Sequence, residues 1–224
     1  MEQLVFVKDQ SLNSIPFTTD EVIAEYSGNS LHAVKQMIRS NESNLKEFGV
    51  LAFEMRKPKA FKGGRPKKVF RLNQEQSTFL ITLLDNTPQV VKFKLNLVKQ
   101  FFTMDRELSD ARVKREAGKY TTTMLTDAIK ARTDLDTHAY INFNQLAYMA
   151  ALGKSATKLK KERLVPNNTP ATEYLTGPEL DKLNKVKQHM AALIEMGMDY
   201  HAIKALVSGS GVITFNLNKT AKGA

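Results

Sequence analysis

The sequence predicts a mainly α protein with a small β-hairpin, an α+β chain, on three observations. Residues 16–40, PFTTDEVIAEYSGNSLHAVKQMIRS, carry two short helical patterns broken at Ser27-Gly28-Asn29. The strand-like runs LAFEMRK and KVFRLN flank a stretch holding two adjacent glycines, the arrangement of a hairpin. From Pro88 to about Arg132, and again after residue 138, the chain is helix-forming and rich in charge. With 224 residues, 42% hydrophobic and 25% charged, it has the composition of a globular protein with a real core.

Each element has a local cause. LVFVKD alternates loosely and predicts a short strand against the first domain. Thr18 and Thr19 offer N-cap hydroxyls, Asp20 and Glu21 put negative charge in the first helical turn, and Ser30 caps the second helix. Gly63-Gly64 supplies the positive backbone angles of a hairpin tip. Asn73 caps NQEQSTFLITLLD, where Phe79, Leu80, Leu83 and Leu84 follow helical spacing.

In the long segment, Leu97, Phe101, Met104, Leu108 and Ala111 recur at alternating four and three. That seam faces either the helix's own domain or the same helix of a second copy, which makes Leu97, Phe101, Met104 and Leu108 the candidate oligomerisation residues. Gly118 predicts a kink or break. LDTHAYINFNQLAYMAALG and SATKLKKERLV read as short helices, with Gly153 as a stop. Pro166 to Pro178 reads as a connector at a sub-domain boundary. Beyond it, Leu180, Leu183, Val186, Met190, Leu193 and Ile194 share one helical face, a further turn and helix follow, and SGSGVITFNLNKTAKGA closes the chain as a short strand and frayed end. The expected organisation is a first domain over 1–87, a long connecting helix over 88–132, a C-terminal helical domain over 133–210 and a tail over 211–224.

The formal net charge of +10 favours polyanionic partners, nucleic acid or an anionic membrane surface. No run approaches the roughly 18 apolar residues of a spanning helix. MEQLVFVKDQ lacks the basic and apolar regions of a signal peptide, so a soluble, intracellular protein is expected. Without cysteine there is no disulfide, thiolate nucleophile or Cys-ligated zinc.

The helical pair fits a helix-turn-helix: Ala24, Gly28 and Val34 stand at about the fifth, ninth and fifteenth positions, where the motif needs a small contact, a tight turn and a branched anchor. Ile23, Leu31, Met37 and Ile38 fill the inward positions. Asn29, Ser30, His32, Ala33, Lys35, Gln36 and Arg39 are left for the outward face. A hairpin after such a pair is the wing of a winged helix-turn-helix, and this one gathers Arg56, Lys57, Lys59, Lys62, Arg65, Lys67 and Lys68 on a projection without an acidic residue between Lys57 and Leu72. A strip of cations of that kind suits phosphates, so the candidate partner is double-stranded DNA. GGRP has the GRP core of minor-groove AT-hooks. On the second helix, Gln36 suits adenine, Arg39 guanine or phosphate, and Lys35 phosphate.

Other chemistry has little support. His32, His138, His189 and His201 are scattered, so no metal site and no cofactor are expected. Asp134, Asp136 and His138 cluster as a polar helix start or, less simply, as ligands of a nuclease metal. No phosphate-cradling glycine loop occurs. The chain is not expected to be an enzyme. Lys154, Lys158, Lys160, Lys161 and Arg163 form either a second phosphate contact or a solvated face.

The order of these elements resembles the phage regulatory proteins of the Rha family. The resemblance is carried by TTDEVIAEYSGNSLHAVKQMI, GRPKKVFRLNQEQSTFLI and VVKFKLNLVKQFFTMDREL. It continues through LTDAIKA, HAYINFNQLAYMAALGKSATKLKKER and ELDKLNKVKQHMAALIEMGMDYHAIKALV, which look like the part Rha proteins share with phage antirepressors. It implies a phage-encoded regulator in the bacterial cytoplasm, with a DNA-binding N-terminal domain and a C-terminal domain for oligomerisation or for contacting other regulators. The leading expectation is a sequence-specific transcriptional regulator on double-stranded DNA, with a two-fold dimer as the geometric default. The alternative is an antirepressor-like protein that binds a phage or host repressor through its C-terminal helices, with Met190 to Leu206 as the partner face.

Overall fold

The computed structural model describes residues 2–57 and 65–208. Lys59, Lys62 and the Gly63-Gly64 tip, with the tail from 211, lie outside the described residues. The protein is mainly α with a three-stranded antiparallel sheet, as the sequence predicts. It divides into two units, Met1–Ser109 and Asp110–Ala224.

In the first unit, β1 (Thr18–Thr19) leads into α1 (Asp20–Ser27), which starts where the Thr19 hydroxyl accepts from the Val22 amide at 3.2 Å. Gly28 ends it at φ 74°, a left-handed geometry that glycine adopts without strain. The Ser30 hydroxyl then caps α2 (Leu31–Ser40) through the Ala33 amide at 3.1 Å. A short α3 (Glu42–Glu47), not expected from the polar run there, follows because Leu45 reaches the core. The hairpin is β2 (Ala52–Arg56) and β3 (Lys67–Leu72), paired in the register Phe53 to Phe70, and β1 adds to the other side of β3 to give the order β1-β3-β2. Next, α4 (Gln74–Thr82) opens with a reciprocal Asn73–Gln76 capping box.

The core of this unit joins Ile23, Val34, Ile38 and Leu45 to Phe70 and Leu72 of β3 and to Val90, Phe93, Leu97 and Phe101 of α5 (Pro88–Lys130). Each such side chain, fully buried, contributes roughly 1.5–3 kcal/mol of transfer free energy. Leu97 and Phe101 are each 1% exposed and Met104 packs on the cluster, so the seam read as a possible pairing surface is committed to the chain's own core. Leu108, one turn further, is half-buried. The amino-terminal segment makes one bridge, Phe6 to Phe17, where a strand was expected. The Leu4 and Val5 amides donate instead to Gln100 Oε1 of α5, at 2.7 and 3.3 Å, which removes them from any ladder.

The second unit holds the rest of α5, α6 (Ala139–Leu152), α7 (Ala156–Glu162), a 3₁₀ turn (Ala171–Tyr174), α8 (Gly177–Glu195) and α9 (Tyr200–Val207). Gly118 does not break α5. It is a packing site, because a Cβ there would come within 2.5 Å of Asn184 Oδ1 of α8. The 166–178 stretch likewise packs instead of separating sub-domains: Ala171, Tyr174 and Leu175 are buried, and Arg163 reaches across it to Glu179 at 2.9 Å. Between Met190 and Leu206, Met190, Ala191, Ile194 and Ile203 are buried in this unit's own interior, while Ala192, Glu195, Met196, His201 and Lys204 are exposed.

Candidate nucleic-acid interface

Apolar spacing on α2 decides what it shows to solvent. Val34 and Ile38 turn inward, which leaves His32, Ala33, Gln36 and Arg39 exposed along the opposite side. These carry a ring, an amide and a guanidinium, a donor and acceptor set able to meet base edges and phosphates. Ser30 is exposed too, although its hydroxyl is engaged as the cap. Asn29 is half-buried, its amide donating to the Ser27 hydroxyl at 3.1 Å.

Lys35 departs from the expected outward role. Its ammonium donates to the Lys68 carbonyl of β3 at 2.5 Å and lies 3.6 Å from Asp20 Oδ2, with its side chain 17% exposed. Asp20 is buried, and its Oδ1 accepts from the Phe70 and Glu21 amides, both at 3.1 Å. Burial raises the Asp20 pKa, while the Lys35 charge and the Phe70 amide pull it back down. A lysine that offsets the charge of a buried carboxylate and donates to a strand carbonyl has a structural task, and here that task fixes β3 against α2. No local signal points to it, because Asp20 looks like an ordinary first-turn acid.

On the hairpin, Lys57, Arg65, Lys67 and Lys68 are exposed, and none of them forms an ion pair among the described residues. Lys68 Nζ stands 4.1 Å from the Phe53 ring centroid and 4.4 Å from that of Phe70, a cation–π site on the face shared with Met55. Phe53 and Met55 are exposed there. The sequence reading passed over both, although alternation along β2 puts them on one face with Lys68. Arg56 also departs from expectation: Glu21 and Glu54 hold its guanidinium, so its charge is neutralised within the fold. The Glu54-x-Arg56 spacing, which puts both on one strand face, was the available signal.

Remaining candidates resolve into structure. Asp134 is held by Arg132 at 2.6 Å and its pKa falls to about 2, mainly through that hydrogen bond, while Asp136 accepts from the His138 amide at 2.9 Å. Among the described residues no group of three histidines and carboxylates is placed to hold a metal ion. Lys154 pairs with Glu162 at 2.6 Å and Arg163 with Glu179, which leaves Lys158 and Lys161 as exposed cations of that run. No described helix is long and apolar enough to cross a membrane.

The fold and site define a small α+β unit in which a solvent-facing helix lies beside a hairpin whose Lys57, Arg65, Lys67 and Lys68 are exposed cations without ion pairs among the described residues. Residues 18–106 match the family model of phage regulatory protein Rha, the family that the sequence resembles. The match runs from β1 into α5 and includes the whole of the candidate interface. No curated protein matches the chain.

Proposed function

We propose that the protein is a phage regulator of transcription whose first unit binds double-stranded DNA as a winged helix-turn-helix. In this reading α2 enters the major groove and the β2–β3 hairpin follows the backbone beside it. The observation that carries the reading is the coupling of the two parts: Lys35 ties α2 to β3, with His32, Gln36 and Arg39 exposed on the helix and Lys57, Arg65 and Lys67 exposed on the hairpin. Phosphates along one strand would meet those cations, while base edges would meet the helix. The sheet order β1-β3-β2, with the helices inserted after β1, is the layout of a winged helix and supports the same reading.

Selection of bound fragments from genomic DNA, washed at rising salt and sequenced, tests the proposal. It predicts enrichment of a discrete motif, which Gln36→Ala and Arg39→Ala then blur. Recovery of random fragments by wild type and both variants alike would refute sequence-specific binding through α2.

A further inference from the structure

A second concave site lies on the other face of the hairpin. A cleft of about 710 Å³ opens in the first unit between the 8–17 segment and the turn at 48–50. That volume is in the roughly 300–1,000 Å³ range of small-molecule sites. Ala52 and Arg71 line it, and strand alternation places these two opposite the face of Phe53, Phe70 and Lys68. The walls are apolar and solvent-facing: Ile15 is 71% exposed, Val50 88% and Phe48 42%. Three large apolar side chains left in water around one concavity mark a surface that gains by being covered.

The charged side chains that line the cleft are Lys8, Asp9 and Arg71, and they differ in availability: Lys8 is exposed and adds a second cation. Asp9 is already occupied, accepting from the Ser11 amide and the Ser14 hydroxyl. Arg71 is only partly used: it lies over the Phe17 ring at 4.8 Å and donates Nη2 to Glu54, its Nε is buried away from the cleft, and its side chain is still 28% exposed. Glu54 is itself shared with Arg56. A partly exposed planar guanidinium set among apolar walls matches a carboxylate on an apolar body, because its fork donates to two carboxylate oxygens at once. A bare phosphate would leave those walls exposed.

We propose that this cleft binds a small carboxylic acid bearing an apolar tail or ring, with the carboxylate on Arg71 and the body against Ile15, Phe48 and Val50. The incoming carboxylate competes with Glu54 for the guanidinium. Removing the Glu54 charge therefore strengthens binding, and removing the Arg71 charge weakens it.

Isothermal titration of the full chain with sodium octanoate tests this, with 1-octanol and sodium phosphate as controls and circular dichroism to verify folding. Octanoate is expected to bind saturably and at least about tenfold tighter than octanol, since a charge-assisted pair is the difference between them. Phosphate is expected to give no saturable heat. Arg71→Met should weaken octanoate several-fold, and Glu54→Gln should tighten it several-fold. Val50→Asp, at a fully solvated position, should weaken it without disturbing the fold and decides the matter if Arg71→Met does not fold. Equal binding of octanoate and octanol, no saturation up to about 10 mM, a weak limit for so small a ligand, or affinity unchanged in both folded Arg71→Met and Val50→Asp would overturn the proposal.

Discussion

The ammonium of Lys35 stands 3.6 Å from Oδ2 of the buried Asp20 and donates to the Lys68 carbonyl, so one side chain binds the start of α1 and the middle of α2 to β3. Asp20 Oδ2 has no hydrogen bond of its own, which leaves Lys35 as its nearest compensation.

Lys35→Met should therefore lower stability at neutral pH by ~1–3 kcal/mol, because it leaves a buried carboxylate unpaired. The sign with pH follows from the raised Asp20 pKa: its stabilising contribution is complete below the ordinary value of 3.8 and is lost as pH rises through the folded value. Asp20→Asn should flatten that dependence and restore most of the stability of Lys35→Met. Urea denaturation of the single and double variants between acid and neutral pH checks both statements.

On α2, the exposed Gln36 and Arg39 are expected to discriminate bases. Alanine at either position should reduce the preference for the selected site over random duplex by roughly 1–3 kcal/mol per lost base contact, with little change in non-specific affinity. Competition anisotropy with the two duplexes measures the difference.

Gly118 leaves a side chain no room unless Asn184 shifts. The Asn184 amide it faces donates to the Lys114 carbonyl at 2.9 Å, so moving aside breaks a hydrogen bond. Gly118→Ala should destabilise the second unit by ~1–3 kcal/mol through overpacking, and adding Asn184→Ala should recover part of the loss. Thermal melts followed by circular dichroism report this.

Lys187 of α8 is 5% exposed, and the hydrogen-bond partner of its ammonium is the Thr122 hydroxyl at 3.0 Å. Burial pushes its pKa down to about 8 from an ordinary 10.5. The unfolded chain then binds more protons between those values, so stability should rise with pH across that window and level off below it. Lys187→Met should remove the dependence and stabilise the protein at neutral pH by a few kcal/mol, read from urea midpoints at pH 7 and pH 10.

Much of the fold was legible because its signals are local. Thr19, Ser30, Asn73 and Gly153 cap helices where their side chains or backbone freedom lead one to expect, and the β2–β3 pairing follows from two strand-like runs around a turn. The errors concern partners distant in sequence. Gly118 reads as a breaker until Asn184 stands against it, and Leu97 and Phe101 read equally as a seam on their own domain or on a second copy until Ile23, Val34 and Phe70 join them in one core. The candidate site divides the same way: exposure of Gln36 and Arg39 follows from helical period, whereas the engagement of Lys35 and Arg56 depends on Asp20 and Glu21, which chain folding brings to them.

The most direct measurement is the salt dependence of duplex binding for wild type and for the triple variant Lys57→Ala, Arg65→Ala, Lys67→Ala. Each phosphate contact releases condensed counterions, so log affinity against log salt should be steep for wild type and should lose about one unit of slope per lysine or arginine removed. Equal slopes for the two proteins, or no duplex binding at low salt, would contradict a DNA interface built on this hairpin.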